Sequence, residues 1–287
     1  YAKAIVLVDS DGALDGKIEG GSGKSIFLDS VKHLRHQLYL DGPKISGDGA
    51  SKFIFMRCNK DHSIIFCDDV LDTFRFQGLF SAITTDFVAE GKGTNEIAWS
   101  FTDSPKFSIC TNYALNGEGE SFDRRQFCFE VSSFFTAKET NGDKLNPISD
   151  FFNNNTMMSA DWNDVEWNCF YNWWFRATQH WLQNKDLPTK KELEGRGISL
   201  GNLKMRLMLQ AGISHDDMTY YQQQIKNVFA KLPDRQKTVA DFIADYVSDN
   251  ELGNQTDEQL KEIKKRVKQD FEFVVQKEGY SLKKNKG

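Results

Sequence analysis

This 287-residue sequence predicts an α/β fold built on a parallel sheet and followed by a mostly helical region. Three observations carry that expectation. Apolar runs of strand length alternate with polar connections through the first half of the chain, the pattern of strands joined by crossovers. The composition changes near residue 137, at the polar stretch Ala137–Lys144 (AKETNGDK). Beyond it, long stretches carry apolar residues at helical spacing.

In chain order, Ala4–Val8 (AIVLV) reads as a buried strand. Lys24 to about Leu40 reads as a helix, with Ile26, Phe27, Val31, Leu34 and Leu38 on one face. Phe53–Cys58 and Ser63–Cys67 are short strand-like runs, and Leu79–Ile83 fits either helix or strand. Phe87–Ala89 and Ile97–Phe101 flank the turn EGKGTN, which predicts a hairpin. Lys106–Cys110 and Gln126–Val131 are further strands. Asp164 to Gln183 predicts a helix with a wide apolar stripe (Val165, Phe170, Trp173, Trp174, Ala177, Trp181, Leu182), and Val239–Val247 predicts another. Thr256 and Gln259 form a capping box that opens a last helix, with Leu260, Ile263, Val267, Phe271 and Val274 on one face. The expected division is a core at 1–136 and a helical extension at 137–287, the latter a lid or a DNA-binding element.

The composition limits the function classes. A hydrophobic content of 39% supports a sizeable core and excludes a largely disordered chain. The net charge of −5 excludes a uniformly basic coat for nucleic acid, although the last 27 residues carry +5. No run of 18 apolar residues predicts a membrane span, and no secretory leader opens the sequence. The start at Tyr1 predicts a fragment of a longer protein. Cys58, Cys67, Cys110, Cys128 and Cys169 are odd in number and form no C-x-x-C pair, which predicts free thiols in a reducing, intracellular setting.

The segment Gly20-Gly21-Ser22-Gly23-Lys24-Ser25, ahead of an amphipathic run, carries the chemistry. A polyphosphate needs inward backbone N–H groups, which small residues allow. It also needs a lysine for its outer phosphates and a hydroxyl on Mg²⁺, roles that Lys24 and Ser25 fit. The full phosphate-loop pattern asks for glycine where Ile18 stands. Such a site also needs an acid at the end of a neighbouring buried strand. The run IIFCDD supplies Asp68 for Mg²⁺ and Asp69 to position or deprotonate the attacking water. Asn112, after the strand KFSICT, is placed to hold that water or to touch the γ-phosphate. Arg124 and Arg125 are of the type that stabilises a transferring phosphoryl group, in cis or from a neighbouring subunit.

The series GGSGKS, IIFCDD, PKFSICTN and SFDRR, in this order, resembles superfamily 3 helicases, in particular the helicase domains of viral, phage and mobile-element primase-helicases. Asp68 and Asn112 stand 44 residues apart, and Asn112 and Arg124 stand 12 apart. Between the second and third motifs the family carries a hairpin with a basic residue near its tip, and Asp86–Trp99 with Lys92 occupies that place. Pro147–Phe152 and Asp161–Trp167 also look like that group's C-terminal extension, so the resemblance covers roughly residues 3–185.

The resemblance implies an AAA+-like P-loop ATPase core, ATP hydrolysis with Mg²⁺, and a homo-hexameric ring with sites between subunits. Arg124 or Arg125 would then reach a neighbour's γ-phosphate. The Lys92 hairpin would grip the backbone of one strand of single-stranded or forked DNA. It further implies a primase module in the same or a partner chain, and a cytoplasmic location in a bacterial host or phage-infected cell. The expected function is a replicative DNA helicase. The alternatives are a ring-forming DNA-loading module with little turnover, or another P-loop motor. The tryptophans of 162–181 read as packing or subunit-contact residues, and His33 and His36 have no acid or cysteine ligand set beside them. The basic stretch Lys261–Lys286 reads as a solvated helix face.

Overall fold

Five parallel strands in the order β2-β3-β6-β1-β7 form the centre of the computed structural model. It describes residues 2–9, 20–47, 53–93, 95–117, 119–136, 147–152, 157–184, 239–250 and 255–277, with single positions among 141–145, 189–193, 212–223 and at 252. Along the chain, β1 (Ala4–Asp9) is followed by α1 (Lys24–Asp29) and the 3₁₀ turn Ser30–His33. Next come β2 (Gln37–Asp41), α2 (Gly42–Ile45) and β3 (Ile64–Val70). The 3₁₀ turn Phe76–Leu79 runs into α3 (Phe80–Thr84), and the hairpin of β4 (Phe87–Ala89) and β5 (Ile97–Trp99) follows. Then come β6 (Lys106–Thr111), α4 (Glu120–Asp123) and β7 (Gln126–Val131), and after them α5 (Ile148–Phe151) and α6 (Asp164–Gln183). All of these lie in one compact unit, Tyr1–Gly201. A second unit, Asn202–Gly287, contains α7 (Val239–Asp249) and α8 (Asp257–Lys277).

The strand order follows from burial. β1 pairs with both β6 and β7, so Val6 and Val8 are fully buried and the strand is almost continuously apolar. β2 lies at the sheet edge and alternates instead: Leu38 and Leu40 are buried, whereas Tyr39 is 46% exposed. This corrects the expected helix over 24–40. The α-helix ends at Asp29 and tightens into a 3₁₀ turn, and the last apolar residues of the run belong to a strand. Over so short a run, helical spacing and two-residue spacing select some of the same positions. The expected strand at 53–58 is a series of turns, with Met56 N–H donating to Phe53 O and Cys58 N–H to Phe55 O. Its aromatic content serves packing rather than pairing: Phe55 lies edge-on to Phe87 (5.2 Å) and Phe107 (5.8 Å).

The hairpin forms where EGKGTN predicts a turn, with Gly93 in the left-handed region (φ 73°). α6 spans the predicted residues and opens with a reciprocal capping box between Asn163 and Glu166. None of its residues is buried. Trp174 stacks on Phe27 (6.0 Å), and Trp167 packs on His33 (4.9 Å), while Trp173 and Trp181 remain exposed. In the second unit, Thr256 and Gln259 exchange the predicted capping bonds. Val267, Phe271 and Val274 of α8 are buried, and Phe271 stacks on Phe242 of α7 at 3.7 Å. No helix among the described residues is long and apolar enough to cross a membrane.

Candidate functional site

In a parallel sheet the carboxyl ends of the strands lie on one edge, and loops leaving that edge can converge on a ligand. β1 ends in Asp9, β3 carries Asp68 and Asp69 near its end, and β6 ends in Thr111 with Asn112 next. The glycine turn and α1 follow β1 in the chain. This geometry brings Lys24, Ser25, Asp68, Asp69 and Asn112 together although they span 88 residues of sequence.

Lys24 is 6% exposed. Its Nζ donates to Asn112 Oδ1 (2.8 Å) and Ser22 Oγ (3.3 Å), and forms an ion pair with Asp9 Oδ1 at 2.6 Å. Ser22 Oγ also donates to Asp9 Oδ1. At the next position of α1, Ser25 Oγ donates to Asp68 Oδ1 at 2.7 Å. Asn112 Nδ2 donates to Asp69 Oδ1 at 3.4 Å, so this one amide links the lysine to the second acid. Gly23 caps α1 in the left-handed region (φ 95°), which a side chain rarely adopts. A Cβ at Gly23 would lie 3.5 Å from Ile148 Cδ1, so α5 approaches the glycine turn. A Cβ at Gly20 would stand 3.9 Å from Asn112 Nδ2, and Gly20 and Gly21 are exposed.

The twin acids differ in conformation. The β3–β6 register shifts between Cys67 and Val70, and Asp69 sits there at φ 54°. A bulge of this kind turns successive side chains in new directions. Asp68 can therefore meet Ser25 while Asp69 meets Asn112. Cys110 Sγ donates to Asp68 Oδ1 at 2.8 Å. Burial, reinforced by that bond to the carboxylate, pushes the Cys110 thiol up to about 12, so it stays protonated. The ligands offered to a cation are thus the hard oxygens of Ser25 and Asp68, a set that suits Mg²⁺ when phosphate and water complete the shell. Among the described residues, no group of three or more His, Cys, Asp or Glu could hold a metal ion alone.

The remaining residues singled out in the sequence lie elsewhere. Ala4 pairs with Gln126 and Ala4 N–H donates to Arg125 O, so Arg124 and Arg125 lie at the amino edge of the sheet. The length of β1, about 16 Å at ~3.3 Å per residue, separates that edge from Asp9. Arg125 is engaged within the chain: its guanidinium lies over the Phe80 ring at 4.6 Å, and Nη1 donates to Ser121 O at 2.7 Å. Arg124 is exposed. Lys92 is exposed at the hairpin turn. The base of that hairpin packs through Phe87 on Phe107 (6.2 Å), and Lys60 lies over Trp99 at 4.6 Å.

Three site residues escaped the sequence reading. Asp9 ends the most apolar strand, which in retrospect marks it as a strand-end acid. Cys110 reads as a core hydrophobe. Tyr39 looked like part of a helix, yet its hydroxyl donates to Asp68 Oδ2 at 3.1 Å.

No protein-family model matches the chain, and no curated protein matches it. Among solved structures it is similar to the apo A form of the NrS-1 C-terminal region, at 14% identity and a TM-score of 0.35. That similarity covers 98% of this chain, which spans 59% of the length of the other.

Proposed function

We propose that the chain is the ATPase and helicase part of a replication protein, hydrolysing ATP with Mg²⁺ to move on single-stranded DNA and open a duplex. The observation that carries this reading is the meeting of Lys24, Ser25, Asp68, Asp69 and Asn112 at the carboxyl edge of a parallel sheet. Lys24 would bind the outer phosphates, and Ser25 with Asp68 would hold Mg²⁺. The cation neutralises charge on the phosphate oxygens. Asp69, turned out of the strand by the bulge, would orient and deprotonate the attacking water, and Asn112 would hold that water or the γ-phosphate.

The arginines divide between two roles. Arg125 braces α4 against Phe80 and has little freedom to leave it. Arg124 is exposed at the opposite edge of the sheet from Lys24, so it would serve the site of a neighbouring subunit rather than its own. A ring of six copies would then place one Lys92 per subunit along a central channel. Phosphate contacts from such lysines carry no base information, as a translocating protein requires.

Strand displacement on a forked DNA with Mg²⁺ and ATP tests this reading. The wild-type chain should separate the fork, and Lys92→Ala should slow separation more than it slows hydrolysis. A Lys92→Ala protein that unwinds undiminished removes the hairpin from the mechanism. ATP binding and ring assembly without turnover, on any DNA, would favour a loading module.

A further inference from the structure

The edge strand β2 contributes a side chain to the site that none of the phosphate-binding motifs contains. Tyr39 pairs in register with Phe66, and Asp68 lies two residues beyond Phe66 on the same face of β3. The Tyr39 hydroxyl donates to Asp68 Oδ2, while Ser25 and Cys110 both donate to Oδ1. The carboxylate is therefore held from two sides, by the glycine-turn helix and β6 on one oxygen and by β2 on the other. The tyrosine is itself fixed. Its ring is edge-on to Phe66 at 5.8 Å, and its carbonyl accepts from Arg57 Nη2 at 3.1 Å. Asp41, which stands opposite Asp68 in the register, has its charge taken by Lys44 at 2.6 Å and does not compete for the hydroxyl.

We infer that Tyr39 is a positioning residue for the cation site: it fixes the plane of the Asp68 carboxylate so that Oδ1 faces the Ser25 hydroxyl. This inference rests on the nucleotide reading. A tyrosine hydroxyl can donate to a carboxylate oxygen, and this one does so from the edge strand. Donors that orient a metal-binding carboxylate tune metal affinity without touching the metal. Lost alone, such a bond leaves a carboxylate that can rotate and must be reordered when the cation binds.

Tyr39→Phe removes the hydroxyl and keeps the ring on Phe66. It should raise the Mg²⁺ concentration for half-maximal ATP hydrolysis about three- to tenfold, the value of one hydrogen bond to a partly exposed carboxylate. The rate at saturating Mg²⁺ should stay within about twofold of wild type. A second readout is free of turnover: Mn²⁺ binding in the presence of ADP, followed by electron paramagnetic resonance, should weaken by the same factor. ADP affinity in EDTA should not change. In an Asp68→Asn background the Tyr39→Phe effect should vanish, because the two residues act as one unit. If Mn²⁺ binding and the Mg²⁺ curve are unmoved in a Tyr39→Phe protein that binds ADP normally, the inference is wrong and the nucleotide reading stands. If the wild-type chain binds neither ADP nor Mn²⁺ with ADP, the nucleotide reading fails and takes the inference with it.

Discussion

Lys24 is an awkward residue to mutate, and the structure says why. Its Nζ sits 2.6 Å from Asp9 Oδ1, and both side chains are almost wholly buried, at 6% and 3% exposure. Asp9 Oδ2 has no partner among the described residues. In Lys24→Met the ammonium disappears and the Asp9 carboxylate stays buried, with the Ser22 hydroxyl as its remaining donor among the described residues. Removing one member of a buried ion pair costs about 3–5 kcal/mol. At a urea slope toward the upper end of ~1–3 kcal/mol/M, that moves the unfolding midpoint of the first unit down by about 1–2 M. Adding Asp9→Asn removes the stranded charge, so the double variant should recover at least half of the loss although it carries one more substitution. Urea titrations read by tryptophan fluorescence measure both midpoints. A Lys24→Met protein as stable as wild type, or a double variant less stable than the single, would refute the buried pair. The folded double variant is also the proper control for activity: it lacks the Lys24 ammonium without the burden of an unpaired buried acid.

Three further perturbations test neighbouring parts of the structure. His33 packs among Trp167 and Phe170, and burial together with Lys32 lowers its pKa despite the opposing Asp29. Its folded value thus lies below its unfolded value, near 6.5. The neutral ring stabilises α6 docking above about pH 6.5, and that stability is lost as pH falls through the lowered value. Tryptophan emission should shift between pH 7.5 and 5 in wild type and stay flat in His33→Phe. Gly42 lies so close to β3 that an alanine Cβ would collide with the backbone of Asp68, Asp69 and Val70. Gly42→Ala should lower stability by about 1–3 kcal/mol and weaken Mg²⁺-dependent binding, as thermal melting and Mn²⁺ titration would show. Arg125→Ala should lower the melting temperature by several degrees, through the lost Phe80 and Ser121 contacts, whereas Arg124→Ala should leave melting unchanged while reducing hydrolysis in the assembled protein.

Much of the sheet was legible because its strands are buried on both faces and read as continuous apolar runs. AIVLV, SIIFC and KFSIC fall in this class. The hairpin was legible from its glycines, and α8 from its capping pair. β2 was hidden because an edge strand of five residues offers only two buried positions, and those also fit a helix. The turns at Phe53–Arg57 were misread because their aromatics fill space beside Phe87 and Phe107 without joining a ladder. In the candidate site, the motifs point to residues that the fold brings together, and they do not point to the neighbours of those residues. Lys24, Ser25, Asp68 and Asn112 announce themselves by spacing. Asp9, Tyr39 and Cys110 reach the same place only because the parallel register aligns the strand ends, and register is a property of the folded sheet. The bulge that separates Asp68 from Asp69 is equally invisible in the letters IIFCDD.

The most direct test of the central claim is the binding of a fluorescent, non-hydrolysable ATP analogue to the whole chain, titrated with and without Mg²⁺. The wild-type chain should bind saturably and more tightly with Mg²⁺, and the folded Asp9→Asn/Lys24→Met protein should not bind. Equal binding by the two proteins, or none by the wild type, would contradict a nucleotide site at Lys24.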